Sequence, residues 1–466
     1  MEKSSIGNQI VTMLAATLST LCGGIHTGWT SPSLVKLQAN NSDVPVTPDQ
    51  GSWIASIYPI SFIPGVFIAG LIVNRWGRKV TLHLIAIPEA LAFALIIAAK
   101  NYWWLYIARA LAGVSSGMTC TAMPMYLGEI SEDRVRGALG VIINLMDSVG
   151  ILLAYSVGPW VSRVTLGCVG LAVPIIFTLS FLWMPESPHF LVMKDKPEEA
   201  EKSLKWLLKK TVLSPEDLMK IKENVEFEKK NDKGTIKDLL REKGNRKALL
   251  IVTVLMCTQQ ISGVSAIRAY TGLIFTRAGA TLDVGIVLII IGVVQFIGGL
   301  LGMFLVDRTG RKPLLLYSIA GCVICLIDCF SGEAVYFQLE AIGVDVSSLT
   351  WISVTSIVGY LLSYSIGLGC LAFVILSELF AYNVKTVATM WAIVIISVSA
   401  MTVTKLYQIV ADTYGVHAAF WGFAGATILA GLFFYFVLPE TKQKSFADIQ
   451  KNLRNSNASD TVIIKA

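Results

Sequence analysis

Residues 306–312 read VDRTGRK, a short basic turn that lies between two long apolar runs, 286–305 and 314–330. The same pattern occurs earlier as 73–79, VNRWGRK, again between two apolar runs. A basic, glycine-containing turn that recurs between membrane-length apolar runs is typical of an internally duplicated membrane protein. It predicts two homologous halves whose basic turns face one compartment.

Two further repeats follow in the same order. Glu129 is followed seven residues later by Arg136, and Glu378 is followed seven residues later by Lys385. Later, Pro-Glu-Ser at 185–187 is matched by Pro-Glu-Thr at 439–441. Three repeats in one order favour duplication over coincidence.

Composition places the chain in a membrane. Of 466 residues, 54% are hydrophobic and 15% are charged, whereas soluble domains carry roughly a quarter charged residues. Apolar runs of about 20 residues are long enough to cross a bilayer as helices. We predict an all-α membrane protein with twelve transmembrane helices in two pseudo-symmetric six-helix bundles, at 8–28, 52–74, 80–99, 103–127, 137–157, 165–184, 248–275, 283–306, 313–331, 349–379, 386–410 and 416–438.

The predicted boundaries give four segments. The N-terminal bundle covers 1–185, a cytoplasmic helical linker 186–247, the C-terminal bundle 248–438, and a polar cytoplasmic tail 439–466. In the linker, Leu204, Leu207 and Leu208 have helical spacing, and 214–217, Ser-Pro-Glu-Asp, resembles a capped helix start. A flexible charged linker is the alternative.

Charge in the short loops predicts the orientation. With the N-terminus inside, ten basic residues are cytoplasmic and four are external, which favours both termini in the cytoplasm. The ten are Lys3, Arg75, Arg78, Lys79, Arg134, Arg136, Arg308, Arg311, Lys312 and Lys385, and the four are Lys36, Lys100, Arg163 and Arg277. The net charge of +6 follows this topology, and we expect no nucleic-acid partner. The sequon Asn40-Asn41-Ser42 then lies outside, so Asn40 is a candidate for glycosylation.

Polar residues inside the apolar runs are the candidates for a solute site. Asn144 and Asp147 share one helix face, and a carboxylate in a span normally faces the protein interior or a water-filled cavity. The seventh span carries Gln259, Gln260, Ser265 and Arg268. Amides and hydroxyls suit a polyhydroxylated ligand, although contact between helices is the alternative role.

Two further spans have unusual sequences. The first ends in 23–32, GGIHTGWTSP, which predicts either a broken helix that lines a solute path or a simple helix end. The fourth carries Arg109 within its apolar run, with Gly113 and Gly117 spaced for close approach of another helix.

Enzyme and metal chemistry have little support. No nucleophile–base set or phosphate-binding loop stands out, and the four histidines are scattered. Cys322, Cys325 and Cys329 lie at helical spacing in an apolar run, where small packing residues are a better interpretation than metal ligands. We expect no catalytic residues, no metal and no cofactor.

At this point the chain resembles the sugar-porter family of the major facilitator superfamily, and within it the insect facilitated trehalose transporters. The similarity runs in family order across nearly the whole chain. The residues that match the sugar-porter family are Gly70 with 74–79, Arg109 with Gly113 and Gly117, Pro124, Tyr126 and Glu129, 136–140, 185–188, Gln259-Gln260 with Ser262-Gly263, 307–312, 378–380 and 439–442. The similarity to the trehalose transporters lies in 29–34 and 374–380.

The resemblance implies a plasma-membrane carrier that moves a small solute, expected to be a sugar, as a monomer by alternating access. No acid stands in the first span, where proton-linked relatives usually carry one, so facilitated diffusion is favoured. The implied substrate-binding residues are Gln259, Gln260, Ser265, Arg268, Asn144, Asp147 and Phe373. The implied gating residues are Arg75, Gly77, Arg78, Lys79, Glu129, Arg136, Glu186, Asp307, Arg308, Gly310, Arg311, Lys312, Glu378, Lys385 and Glu440. Among them, the basic residues of the two turns and the acids Glu129, Glu186, Glu378 and Glu440 are expected to form salt bridges between the bundles.

The sequence departs from the family pattern at the solute site. Ser265 stands where the family usually has Asn, Arg268 and Asp147 where it has apolar residues, and 370–373 lacks the usual prolines. We therefore predict that Asp147 and Arg268 pair. Three alternatives stay open: a carrier for a charged solute, proton coupling through Asp147, and a transport-inactive sensor that keeps the fold.

Overall fold

The computed structural model describes residues 7–210, 218–219, 221–223, 225–226, 236–277, 283–341, 350–442, 444 and 448–449. Within these ranges the chain is organised as helices joined by short turns. They are α1 (Gly7–Leu37), α2 (Pro48–Ile60), α3 (Phe62–Trp76), α4 (Arg78–Ala98), α5 (Tyr102–Ile130), α6 (Asp133–Val157), α7 (Arg163–Phe181), α8 (Pro188–Met193), α9 (Pro197–Leu208), α10 (Ile236–Arg241), α11 (Lys243–Ile261), α12 (Val264–Arg277), α13 (Val284–Thr309), α14 (Arg311–Ala341), α15 (Thr350–Ile366), α16 (Leu368–Leu379), α17 (Tyr382–Tyr414) and α18 (Val416–Val437).

Nine helical segments of the described chain are long and apolar enough to cross a membrane. They are Gly7–Leu37, Pro48–Trp76, Arg78–Ala98, Arg163–Phe181, Lys243–Thr276, Val284–Val306, Val354–Leu379, Val384–Tyr414 and Val416–Val437. The other three predicted spans are helical as α5, α6 and α14. In α5 the buried residues include Arg109, three serines and threonines and two glycines. Such residues lower the hydropathy of a helix that packs inside the protein.

The chain forms two compact units, which we call unit 1 (Met1–Asn231) and unit 2 (Asp232–Ala466). The division falls inside the predicted linker. In that linker α9 buries Leu207 and Leu208, as an amphipathic helix requires. The predicted helix start at 214–217 lies outside the described residues. The four segment boundaries given above remain a prediction.

Glycines bring helix backbones together in unit 1. A Cβ at Gly24 would lie 2.1 Å from the Asp147 carbonyl oxygen, and one at Gly150 would lie 2.2 Å from that of Leu21, so α1 and α6 touch backbone to backbone. On α5, a Cβ at Gly113 or Gly117 would meet the carbonyl oxygen of Tyr58 or Phe62 at 2.3 and 2.2 Å. The close approach predicted for this glycine pair is confirmed.

Four predicted spans differ from the observed helices. The first continues as one helix to Leu37 and includes Pro32, so both interpretations of 23–32 were wrong. The glycines there serve helix packing, because Gly24 and Gly28 both approach α6. Conversely, the single spans predicted at 52–74, 248–275 and 349–379 are each interrupted, at Ser61, at Ser262–Gly263 and at Gly367.

Candidate functional site

The interruption between α11 and α12 is a tight polar turn. Gly263 has φ +98°, a conformation that side chains other than glycine rarely adopt. A Cβ there would also lie 2.4 Å from the Phe423 ring. Gln259 and Gln260 occupy the last turn of α11 and are buried. The glycine thus ends α11 directly beside two amide side chains.

The interruption between α15 and α16 has no proline. A Cβ at Gly367 would lie 2.3 Å from the Ser318 Cβ, so α14 approaches the chain closely at this point. The Ser318 hydroxyl accepts a hydrogen bond from the Leu368 N–H (2.9 Å) and donates to the Ser363 carbonyl (2.7 Å). Ser318 therefore satisfies backbone groups on both sides of the break, which a buried helix end requires.

Side chains join the two breaks to each other. The Gln259 amide donates to the carbonyl oxygens of Leu368 and Gly369, each at 3.2 Å. The Tyr360 hydroxyl donates to the Ser262 carbonyl at 3.0 Å and lies 3.0 Å from the Ser262 hydroxyl. Each bond links a residue at one break to a helix that flanks the other break. A movement of α11 or α16 therefore disturbs both breaks.

The remaining predicted residues of the seventh span lie close by on α12. The Ser265 hydroxyl donates to the Gln260 amide oxygen. The half-buried Arg268 donates to the Gln295 amide oxygen of α13 at 2.9 Å, and its guanidinium lies 5.7 Å from the Tyr364 ring centre. The structure thus gathers Gln259, Gln260, Ser265 and Arg268 on consecutive turns of unit 2.

The other predicted solute residues are more separate. Phe373 is 44% exposed on α16, one turn beyond Gly369. Asn144 is exposed and Asp147 half-buried on α6, which belongs to unit 1. The pairing of Asp147 with Arg268 joins the two units and stays a prediction.

Arg109 is a charged group buried inside unit 1. Its guanidinium donates to the carbonyl oxygens of Ile54 (3.1 Å) and His26 (2.7 Å) and to the Thr30 hydroxyl (3.0 Å). It also lies 4.3 Å from the Tyr58 ring centre, a favourable cation–π distance. Arg109 therefore ties α5 to α1 and α2.

Unit 1 closes its basic turn with acids from two other segments. The Arg78 guanidinium donates to Glu129 Oε1 at 2.7 and 3.0 Å. The Glu186 carboxylate accepts from the backbone N–H groups of Arg78 (3.1 Å) and Lys79 (3.0 Å), at the first turn of α4. A carboxylate is stabilised there because the N-terminus of a helix carries partial positive charge. Ser187 donates to Glu129 and completes the cluster.

Unit 2 repeats this arrangement group by group. Arg311 pairs with Glu378 at 2.9 Å. Glu440 accepts from the N–H groups of Arg311 (3.0 Å) and Lys312 (3.1 Å), and the Thr441 hydroxyl donates to Glu378 at 2.6 Å. The basic turns, the acids Glu129 and Glu378 of the second repeat, and the Pro-Glu-Ser and Pro-Glu-Thr segments therefore come together as one cluster in each unit.

The prediction placed these salt bridges between the bundles, whereas the described bonds lie within one unit. The first N–H groups of α4 and α14 lack partners in their own helices, and the acids of the same unit satisfy them. Gly77 and Gly310, with φ +104° and +98°, allow this approach, since a Cβ at Gly77 would lie 2.3 Å from Glu186 Oε2.

The other predicted gating residues take different positions. Arg75 and Arg308 are exposed, and Lys385 is half-buried. Lys79 and Lys312 donate to the carbonyl oxygens of Leu182 (2.8 Å) and Tyr435 (2.7 Å), which are again equivalent contacts. The side chains of Arg136 and Asp307 lie outside the described part of the structure.

The two equivalent acids differ in their electrostatics. Burial raises the pKa of Glu186 above its ordinary value despite the N–H donors and Arg78. Burial also opposes ionisation of Glu440, but the N–H groups of Lys442, Arg311, Lys312 and Thr441 outweigh it and hold the pKa of Glu440 below its ordinary value. The ionised carboxylate of Glu440, in the more exposed cluster, is thus more stable than that of Glu186.

Sequence analysis overlooked several polar groups. Gln295, Ser318 and Tyr360 were not singled out, although a glutamine in an apolar span is a usable signal. Glu89, fully buried on α4, was also missed. Within the described residues, no three His, Cys, Asp or Glu side chains converge in a way that could hold a metal ion. Asn40 is exposed in the turn after α1.

Comparisons with known proteins agree on one family. The family model described as "Sugar (and other) transporter" matches residues 11–453. The facilitated trehalose transporter Tret1 of Polypedilum vanderplanki is 34% identical over 96% of this chain and 88% of its own length. Tret1 of Aedes aegypti is 33% identical over 96% of this chain, but the chain spans 55% of that protein.

Solved structures show the same fold. The partially occluded inward-open xylose transporter XylE from E. coli superposes with a TM-score of 0.77 at 21% identity, over 94% of this chain and 100% of that one. The proton:xylose symporter XylE bound to 6-bromo-6-deoxy-D-glucose gives 0.73 at 21% identity, over 96% and 99% of the two chains. The architecture is that of the major facilitator superfamily.

Proposed function

Because the chain belongs to the family of sugar and other transporters, we propose that it carries a sugar, trehalose or a hexose, across the plasma membrane. Transport runs by facilitated diffusion through alternating access, with both termini in the cytoplasm. The chain acts as a monomer, with no cofactor, no catalytic residues and no partner other than lipid and solute. Asn40 is proposed as a glycosylation site.

One observation carries this proposal, the pair of linked helix breaks in unit 2. Interrupted spans in transporters expose backbone groups that bind solute or move to admit it. Here the breaks lie beside Gln259 and Gln260, whose amides both donate and accept hydrogen bonds, as sugar hydroxyls require. We assign the solute site to Gln259, Gln260, Ser265, Arg268 and Phe373, together with Asn144 and Asp147.

Gln259 has two roles in this proposal. Its amide nitrogen bonds the start of α16 through Leu368 and Gly369, and its amide also belongs to the proposed sugar site. Sugar binding at Gln259 is then linked to the position of α16. Alternating access needs such a link, since a ligand shifts a conformational balance only by binding the two states unequally.

The test is uptake of labelled trehalose and glucose by cells that express the chain, at pH 5.5 and 7.5. We expect saturable uptake by the wild type and at least a tenfold loss in Gln259→Ala, about the worth of one buried hydrogen bond to a ligand. Gln408→Ala is the matched control, because the Gln408 amide is also buried but donates to Asp412 of its own helix at 2.8 Å.

Surface labelling must show equal amounts of each variant at the membrane. Absence of uptake of both sugars by a surface-exposed wild type contradicts the sugar proposal. The second candidate is then a carrier for an anion, which the half-buried Arg268 favours, and Arg268→Gln should abolish that transport.

A further inference from the structure

Glu89 on α4 is a carboxylic acid in the interior of unit 1 that no proposed site uses. Its side chain is 0% exposed, and Ala92 and Phe93 on the following turn are equally buried. Neither carboxyl oxygen has a hydrogen-bond partner among the described residues. An acid so placed inside a membrane-spanning helix points to function, because its burial is costly.

Polar side chains from two neighbouring helices face this carboxyl. The Cys22 thiol of α1 and the Ser115 hydroxyl of α5 lie near it, but neither forms a hydrogen bond of acceptable geometry with the carboxyl. The Ser115 hydroxyl, however, donates to the Ala112 carbonyl at 3.3 Å. Both groups are neutral and weakly polar, so they offer no counter-charge to an ionised Glu89.

Among the described residues, no charged or titratable group on the surrounding helices forms an ion pair with Glu89. On α1, His26 stacks on Phe93 at 4.0 Å between ring centres, and neither of its ring nitrogens has a hydrogen-bond partner among the described residues. On α5, Arg109 donates to α1 and α2, as described above. On α7, Arg163 binds Asp43 at 2.6 Å, and on α3, Arg75 is exposed. No described cation pairs with Glu89.

An unpaired carboxylate in an apolar interior is far less stable than the neutral acid. We propose that Glu89 is a proton-binding site of this carrier. It holds a proton in the conformation described here, and loss of that proton disfavours this conformation, so that transport depends on pH. The inference rests on the proposed transport function only for its effect on uptake.

A row of hydroxyl groups runs from α1 to α5 in the same unit. The hydroxyl of the half-buried Thr27 lies 3.5 Å from that of Tyr58. The Tyr58 hydroxyl lies 3.0 Å from that of Ser116, the neighbour of Ser115 on α5. Hydroxyls both donate and accept, so they can pass a proton along such a row. The row ends at Ser116, on the same helix as Ser115.

The size of the effect follows from proton linkage. When a conformation requires one bound proton, its population falls by at most about tenfold for each unit rise in pH. Uptake that passes through this conformation falls accordingly on the alkaline side. Glutamine is neutral at every pH and imitates the protonated acid in shape.

The transport test uses the purified full chain in proteoliposomes, with equal pH on both sides, from pH 5.5 to 9. We expect wild-type uptake of trehalose or glucose to fall with rising pH, by up to about tenfold per unit. Glu89→Gln should keep one rate throughout. Asp328→Asn, which removes an exposed acid of α14, should keep the wild-type profile. A flat wild-type profile, or an unchanged profile in Glu89→Gln, overturns the proposal.

A second readout does not depend on transport. Infrared spectra of the purified protein at pH 7 should contain the carbonyl band of a protonated carboxyl that Glu89→Gln lacks and Asp328→Asn retains. Identical spectra for wild type and Glu89→Gln overturn the proton site. If the wild type carries neither sugar, the sugar proposal fails by itself, and the infrared comparison alone decides the role of Glu89.

Discussion

At the scale of single residues, the two charge clusters share their geometry but differ in environment. Glu186 and Glu440 each accept from the first N–H groups of a helix. Burial raises the pKa of Glu186, whereas the N–H donors hold the pKa of Glu440 low against a smaller burial cost. Duplicated positions have thus acquired opposite responses to protons.

This difference predicts that, between pH 5 and pH 7.5, Glu186 of unit 1 makes stability depend on pH and Glu440 of unit 2 does not. The folded chain binds the Glu186 proton more tightly than the unfolded chain, so stability falls as pH rises from about 4.3 through the raised pKa of Glu186. Glu186→Gln removes this loss of stability. The melting temperature of the variant minus that of the wild type should therefore increase from pH 5 to pH 7.5, as measured by thermal unfolding in detergent.

Glu440→Gln is the matched control from the other unit. Because the pKa of Glu440 is lowered, its stabilising contribution is complete above the ordinary glutamate value and is lost only as pH falls below it. The gap between Glu440→Gln and wild type should therefore stay constant from pH 5 to pH 7.5. Equal responses of the two variants would contradict the assignment.

At the scale of elements, the helix breaks of unit 2 are built structures. Gly263 supplies the backbone conformation for one, and Ser318 satisfies both sides of the other. Gln259 and Tyr360 then join them. These hydrogen bonds hold the end of α11 and the start of α16 in the conformation described here. When a helix end moves, the same polar groups remain available to form other hydrogen bonds.

Gly263→Ala should damage these helix breaks. Alanine at φ +98° is strained, and its Cβ would lie 2.4 Å from the Phe423 ring, so we expect a loss of about 1–3 kcal/mol in the free energy of unfolding and reduced uptake. Gly299→Ala is the control, because no atom lies within 4 Å of a Cβ there. A similar loss in both variants would show that the turn conformation is unimportant.

At the scale of the whole molecule, each unit satisfies its own basic turn. Arg78 and Glu129 pair in unit 1, and Arg311 and Glu378 pair in unit 2. Each unit therefore has a completed cluster of its own.

The predicted pair between units, Asp147 with Arg268, can be tested by a double-mutant cycle. We expect Asp147→Asn and Arg268→Ala each to lower folded yield and uptake. The double variant should lose much less than the sum of the two, because an unpaired charge in the protein interior is worse than no charge. The measurement is transport per surface-exposed molecule. Additive losses would reject the pair.

The sequence alone predicted much of the fold, because hydropathy is a local property. Apolar runs identified the helices, and repeated basic turns identified two related halves whose contacts the structure reproduces. Part of the candidate site could be predicted for the same reason. Residues 259–268 contain two amides and an arginine, which are rare in apolar spans.

What sequence analysis missed depends on groups distant in the chain. Whether 349–379 is interrupted is decided by Ser318 on another helix, which supplies the hydrogen bonds that make the break at Gly367 stable. Conversely, the glycines of 23–32 continue a helix because α6 packs against them. The sequence by itself therefore determined which segments form long apolar helices. Tertiary packing decided where those helices break and which buried groups, such as Glu89, have no hydrogen-bond partner among the described residues. The physical reason is that a backbone or carboxyl group is satisfied only by neighbours that folding brings to it.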